Sequence, residues 1–269
     1  MSVELEFDRV TVKKRTTAVL RDVSLQVHAG EFVALIGPNG GGKTTLLRAA
    51  AGLETPNPGR VLVSGDDVSR MAARVRAAKV AWLPQQALVS DLLPALDVVS
   101  SARYRFSETH AESAEAARSA LRVVGSEHLS PVCVTDLSGG EQQRVALATL
   151  LAQDAAFLLV DEPANHLDPA QQMKIYLLLG QLWRRGLGVL CVTHDVNLLR
   201  FLPQACPVRL VGLKQGCVSF DVGYDAVSLE DKLSELFGVT MRAVGTPTCR
   251  LHVPEPSPAC STPVGPKVS

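Results

Sequence analysis

Hydrophobic and polar positions change period several times along this chain, and each change predicts an element. Val10-Thr11-Val12 and Val23-Ser24-Leu25-Gln26-Val27 alternate apolar with polar, the period of half-buried strands. Phe32-Val33-Ala34-Leu35-Ile36 is apolar without a break, which predicts a central strand covered on both faces. Thr44 to Ala51 predicts a helix that Gly52 stops. Pro56-Asn57-Pro58-Gly59 predicts a turn before a strand at Val61-Leu62-Val63. Ala72 to Lys79 reads as a helix and Val80-Ala81-Trp82-Leu83 as a strand closed by Pro84-Gln85.

From Gln86 to Asp136 the composition shifts to Ala, Leu, Ser and charged residues. Within it, Ala116, Ala117, Ala120, Leu121 and Val124 fall at helical spacing over Glu112 to Val124, so residues 86–136 predict a mostly helical insertion. Strands resume at Phe157-Leu158-Leu159-Val160 and Val189-Leu190-Cys191-Val192, with a helix from Pro169 to Trp183 between them. Val208 to Leu213 and Cys217 to Phe220 predict a hairpin turning at Gln215-Gly216. Strands alternating with helices imply an α/β core around a parallel sheet. No internal repeat is present, so residues 1–240 read as one domain rather than a tandem pair. Beyond about Val244 the chain turns to Pro, Ser, Thr and Gly, and residues 241–269 read as a disordered tail.

Composition sharpens this picture by exclusion. With 269 residues, 46% of them hydrophobic, the chain can bury a substantial core. Its 27 basic and 27 acidic residues cancel, so no net charge is present to hold nucleic acid or an anionic membrane. No uncharged apolar run approaches the ~20 residues that span a bilayer. Met1 to Asp8, with Glu4, Glu6 and Asp8, lacks the basic and apolar segments of a signal peptide. The six cysteines are scattered with no Cys-x-x-Cys pair and read as reduced thiols, several of them core fillers.

Candidate chemistry begins where the central strand runs into Gly37-Pro38-Asn39-Gly40-Gly41-Gly42-Lys43-Thr44, followed by Thr45. A strand, this Gly-rich loop and a helix form a phosphate cradle. The glycines let backbone N–H groups turn inward, Lys43 can reach the β- and γ-phosphates, and the Thr44 hydroxyl is placed to ligate Mg²⁺. Phe157-Leu158-Leu159-Val160-Asp161-Glu162 is an apolar strand that closes in two carboxylates: Asp161 suited to Mg²⁺ and Glu162 to orienting and partly deprotonating an attacking water.

Between these two motifs lies Leu137-Ser138-Gly139-Gly140-Glu141-Gln142. With that run in place, the chain from about Glu4 to Gly238 resembles the ATP-binding cassette (ABC) ATPases. The resemblance implies a P-loop NTPase (RecA-like) core with a parallel sheet, an N-terminal antiparallel β-subdomain and an inserted helical subdomain. It implies ATP and Mg²⁺ as ligands. Gln85 matches the Q-loop glutamine, which touches Mg²⁺ and the water. Ser138-Gly139-Gly140-Glu141 matches the signature that lies on the γ-phosphate of ATP held by a second copy, so the resemblance implies a homodimer. Asn165-His166-Leu167-Asp168 matches the D-loop at the dimer seam, and His194 the switch histidine at the γ-phosphate.

One position departs from the family pattern. Where many members carry an aromatic residue that stacks on adenine, this chain has Lys14 and Arg15. Arg15 could stack its guanidinium on the base, or both residues could be solvated surface charges. Gly41, where the family often has Ala or Ser, is a smaller departure.

Three stretches are similar to the ATPases of iron–siderophore, haem and cobalamin importers: Ala95-Leu96-Asp97-Val98-Val99 with Ala102-Arg103-Tyr104, Asp161 to Gln172, and Leu233 to Val239. The expected function is ATP hydrolysis that energises such an importer. The chain would sit on the cytoplasmic side of the inner membrane, bound to integral-membrane permease subunits and indirectly to a substrate-binding protein, with no nucleic-acid partner. The alternatives are an ABC ATPase of another transporter class (zinc, manganese or an exporter), a soluble ABC ATPase acting on ribosomes or nucleic acid, and a nucleotide-binding regulatory module without turnover. A single cassette without heptads or net positive charge disfavours the soluble machine, and intact Glu162 and His194 disfavour the regulatory module.

Overall fold

A computed structural model describes residues 4–85, 92–203, 207–246 and 249–255. In chain order the elements are β1 (Glu4–Lys14), β2 (Thr17–His28), β3 (Phe32–Ile36), α1 (Lys43–Ala50), β4 (Arg60–Val63), β5 (Asp66–Asp67), α2 (Ala73–Lys79), β6 (Val80–Leu83), α3 (Ala95–Ser101), α4 (His110–Val123), α5 (Gly139–Gln153), β7 (Phe157–Asp161), α6 (Pro169–Trp183), β8 (Gly188–Val192), β9 (Val208–Lys214), β10 (Cys217–Gly223), α7 (Leu229–Phe237), β11 (Met241–Thr246) and β12 (Cys249–Pro254).

The strands form three sheets. A six-stranded sheet has the order β10-β9-β3-β8-β7-β6, parallel except for the β9–β10 hairpin, and a four-stranded antiparallel sheet has the order β2-β1-β4-β5. This is the α/β P-loop NTPase fold, with the expected antiparallel subdomain at the N-terminus. The period of two along β3 divides the core. Val33 and Leu35 face the antiparallel sheet and α1, together with Leu46, Leu47, Leu190 and Leu213. Phe32, Ala34 and Ile36 face the other layer, with Leu147, Tyr176, Leu179 and Cys191. Both faces being covered, every residue of β3, β7 and β8 is buried, which accounts for their unbroken apolar runs.

The 86–136 insertion is helical where it is described, with α3 and α4 packed on each other and on α5. Residues 86–91, which begin it, lie outside the described residues. α4 starts at His110, ahead of the expected Glu112, because Thr109 forms a capping box with Glu112. Arg103, held within the insertion by the Glu108 carboxylate, ties it to α5 by donating to the Ala152 carbonyl at 3.0 Å.

The expected disorder over 241–269 is corrected for its first part. Met241 to Pro254 is a two-stranded antiparallel hairpin, with Met241 opposite Pro254 and Val244 opposite Leu251. It is held by docking rather than by a core of its own. The Met241 N–H donates to Ser234 Oγ of α7 at 2.8 Å, and His252 is buried against the rest of the domain. Residues 256–269 lie outside the described residues. Of the described cysteines, Cys133, Cys191 and Cys217 are unpaired thiols, as expected, and burial pushes the Cys191 thiol up to about 12.

Candidate nucleotide site

Four parallel strands deliver the site from one edge of the sheet. β3 ends in the Gly-rich loop, β6 in Gln85, β7 in Asp161-Glu162 and β8 in His194. The register keeps these exits level, pairing Leu35 with Val192, Val192 with Asp161, and Val160 with Leu83. Ligands of open parallel sheets bind at this carboxyl edge.

The loop lies so close to its neighbours that only glycine fits at two points. A Cβ at Gly37 (φ 150°) would sit 2.0 Å from the Leu213 carbonyl oxygen, and one at Gly42 (φ 102°) 2.7 Å from Leu20 Cδ2. Gly42 is also the left-handed N-cap of α1 and offers no side-chain cap, so the first amides of α1 can donate to an anion. Lys43 is 6% exposed, and its ammonium donates to the carbonyls of Gly37 (2.7 Å) and Pro38 (3.0 Å). Burial pulls its pKa down, against the opposing charges of Glu162 and Asp161.

Asp161 is 1% exposed, and neither carboxylate oxygen makes a hydrogen bond of good geometry. Burial pushes its pKa up, while the Thr44 hydroxyl and Lys43 pull it back. Orphaned buried oxygens beside a hydroxyl suit a hard divalent cation such as Mg²⁺. Among the described residues no group of three or more His, Cys, Asp and Glu is arranged to hold a metal. Mg²⁺ takes one or two protein oxygens plus substrate phosphates.

Glu162 has a left-handed backbone, φ 50°, which costs a non-glycine residue ~1–2 kcal/mol. Two bonds fix that turn: the Glu162 N–H donates to Val192 O at 3.0 Å, and the Asn165 N–H to Glu162 O at 3.1 Å. The turn aims the carboxylate at three partners. Gln85 Nε2 donates to Oε2 at 2.6 Å, Asn165 Nδ2 donates to the same oxygen at 3.0 Å, and His194 Nε2 pairs with Oε1. A carboxylate and an imidazole in contact beside a phosphate cradle can position and deprotonate a water.

These groups line one cleft of about 520 Å³: Gly40 to Thr45, Asn39, Gln85, Glu162, Asn165, His194 and Val19. That volume falls in the range of small-molecule sites, roughly 300–1,000 Å³. Gly37 and Pro38 act from behind through their carbonyls, and Asp161 from the floor. Val19 is absent from the sequence-based site, and Asn165, expected at the dimer seam with the D-loop, lines the cleft. Its place there could have been found from its position three residues past Glu162, the spacing of a tight turn. Val19 supplies an apolar wall. Lys14 and Arg15 are not among the lining residues. Lys14 pairs with Glu54 at 3.7 Å, and Arg15 sits at the β1–β2 turn with φ 56°.

The signature residues do not join this cleft. Ser138 and Gly139 are exposed at the start of α5, where the Ser138 N–H and hydroxyl donate to the Glu141 carboxylate at 2.9 and 2.6 Å. Those bonds hold the Glu141 carboxyl below the usual range. Gly140 is buried, with Gln171 3.1 Å from where its Cβ would lie. Asp168 caps α6, accepting from the N–H groups of Ala170 and Gln171 at 2.9 Å each.

Comparison with known proteins agrees with this geometry. The ABC transporter family model matches residues 20–165. The chain is 38% identical over 203 residues to the hemin import ATP-binding protein HmuV of Bordetella pertussis, covering 72% of this chain and 78% of that one. It is 30% identical over 250 residues to the ferric enterobactin transport ATP-binding protein FepC of Escherichia coli, covering 90% of each. The dimeric structure of MJ0796, a bacterial ABC transporter cassette, superposes with a TM-score of 0.74 at 29% identity, covering 82% of this chain and 99% of that one. The cradle, the carboxylate pair, the signature and these matches agree: the chain belongs to the ABC transporter ATP-binding family and is an ATPase.

Proposed function

We propose that this ATPase works as a homodimer and powers import of an iron–siderophore, haem or cobalamin type of substrate through a separate integral-membrane permease. The observation that carries the dimer is the separation within one chain. Its cleft holds the cradle, Glu162 and His194, whereas Ser138 and Gly139 stand exposed elsewhere. ATP gripped by Lys43 and Thr44 of one copy would be completed by Ser138 and Gly140 of the other, with Asp168 near the seam. Thr44, Asp161 and Gln85 would hold Mg²⁺, which neutralises charge on the β- and γ-phosphates. Glu162 takes a proton from the attacking water, and His194 holds the γ-phosphate side of the cleft.

One observation supports a membrane partner. Val75, Leu92, Leu93 and Tyr104, on α2 and the helical insertion, are exposed apolar side chains, and the Tyr104 hydroxyl donates to Ala73 O at 3.3 Å. Closure would pass through the Gln85 loop and this insertion to permease helices on the cytoplasmic face, with a substrate-binding protein delivering cargo on the other side. The similarity to HmuV and FepC supports the importer branch.

Purification of the tagged full chain from membranes tests the reading. Recovery with a many-helix permease and a haem, corrin or ferric-siderophore cargo is expected. Recovery with ribosomes would overturn it. In parallel, Glu162→Gln with ATP should run as a dimer by light scattering, and Ser138→Arg with ATP as a monomer.

A further inference from the structure

Besides Ser234 of α7, Asn197 ties the C-terminal hairpin to the core. Its amide donates from Nδ2 to the His252 carbonyl at 3.1 Å and accepts the His252 N–H at Oδ1, 2.7 Å away. It thus satisfies both backbone groups of one β12 residue, as a neighbouring strand would. The His252 side chain, 1% exposed, is walled in by the Tyr224 ring at 5.8 Å and by Glu230 Oε1, 3.4 Å from Nδ1.

Asn197 lies three residues past His194, in the short 3₁₀ segment Val196–Phe201. A chain of bonds connects the two. The Asn197 N–H donates to Asp195 Oδ1 at 2.9 Å, and the Asp195 N–H to Thr193 Oγ1 at 3.3 Å. The Thr193 hydroxyl donates back to Asp195 O at 3.2 Å, and the Thr193 N–H donates to Leu35 O at 3.2 Å. His194 therefore sits on a short bridge anchored at one end to β3 and at the other to β12. Its imidazole is 41% exposed and pairs with Glu162 Oε1. Short 3₁₀ segments have poor internal hydrogen bonds, so an external anchor weighs more on their position.

We infer that Asn197 is a positioning residue for hydrolysis: by clasping the C-terminal hairpin it sets the aim of His194 at Glu162. The inference rests on the reading of His194 as a group that acts during turnover.

Steady-state ATPase assays on the full chain test it, with slow variants followed by release of labelled phosphate so that residual rates stay measurable. Asn197→Ala is expected to lower kcat about tenfold with the KM for ATP changed less than about twofold, the mark of misaimed chemistry rather than lost binding. In a His194→Ala background the same change should cost less than about twofold, because its route to the reaction is gone. An unchanged kcat for Asn197→Ala, or an equal loss in both backgrounds, overturns the inference. If His194→Ala alone keeps the parent kcat, the reading of the histidine fails and the inference falls with it. If His194→Ala lowers kcat while Asn197→Ala does not, only the inference fails. Should Asn197→Ala fail to bind nucleotide, Asn197→Asp, which keeps the acceptor for the His252 N–H, is put through the same cycle. Loss of nucleotide binding in both variants makes the clasp purely structural and overturns the proposal.

Discussion

Gln85 and Glu162 are 77 positions apart, yet Gln85 Nε2 donates to Glu162 Oε2 across 2.6 Å. The bond joins the end of β6, where the helical insertion begins, to the candidate base. Removing either partner should therefore affect turnover unequally. Glu162→Gln keeps the shape of the cleft but loses the proton acceptor, so kcat should fall by about 10²–10⁴-fold with ATP affinity retained. Gln85→Ala leaves the acceptor, still held by Asn165 and His194, and should cost about 3–10-fold in kcat. Phosphate release and nucleotide titration read both, and a Glu162→Gln variant at the parent rate would remove the residue from its role.

The Gly-rich loop predicts a contrast between two glycines. At Gly37 an added Cβ meets the Leu213 carbonyl oxygen at 2.0 Å, so Gly37→Ala should destabilise the fold by about 3 kcal/mol or more and abolish nucleotide binding. Gly40, with φ 74°, has nothing within 4 Å of that position, so Gly40→Ala should cost only the backbone strain, about 1–2 kcal/mol. Urea unfolding of the two variants measures the difference.

Asp161 carries a cost in stability that pH should expose. Burial raises its folded pKa above the unfolded value, so the protonated acid is the form that folding favours. Its contribution is complete below the ordinary carboxylate range and is lost as pH rises through the raised folded pKa. Asp161→Asn should accordingly be more stable than the parent at neutral pH, by about 2–6 °C in Tm, with ATPase activity abolished. That advantage should shrink as pH falls through the carboxylate range. An advantage constant across pH would show that Asp161 is not a buried charge in the free protein.

Base recognition is the fourth prediction. Val19 is an apolar wall of the cleft, and Lys14, which with Arg15 falls near the family's aromatic position, is engaged with Glu54. Lys14→Tyr should tighten ATP binding about 3–10-fold, the worth of one aromatic stack. It should also widen the preference for ATP over GTP. Competition of both nucleotides against a fluorescent analogue reads the ratio.

Much of the site was legible because its chemistry is local in sequence. The cradle needs its glycines and Lys43 on one turn, and Asp161-Glu162 need only the end of a buried strand. The Ser138–Glu141 run was equally legible, but its exposure away from the cleft required the fold. Asn165 was legible as part of the D-loop, but its bond to Glu162 depends on a left-handed backbone at Glu162 itself, which no periodicity reports. The hairpin at 241–254 escaped for a different reason. Its Pro, Thr and Gly composition predicts no core, and it is held by contacts with Asn197, Ser234 and Glu230 that only the fold brings to it. The start of α4 is legible in Thr109-x-x-Glu112, whereas apolar spacing alone places it two residues late.

In the proposed homodimer, Ser138 and Lys43 of one molecule serve different sites, and this has a genetic consequence. In a cell making both a parent chain and a Ser138→Arg chain, the altered loop spoils not its own nucleotide cleft but that of whichever neighbour it meets. A Lys43 defect does the opposite, ruining the cleft it belongs to while leaving an intact loop for its neighbour. A mixed pair carrying one of each lesion on different chains loses one site twice over and retains the other whole, whereas both lesions on the same chain touch both sites. Alleles of this gene should therefore complement according to how their lesions are distributed between chains.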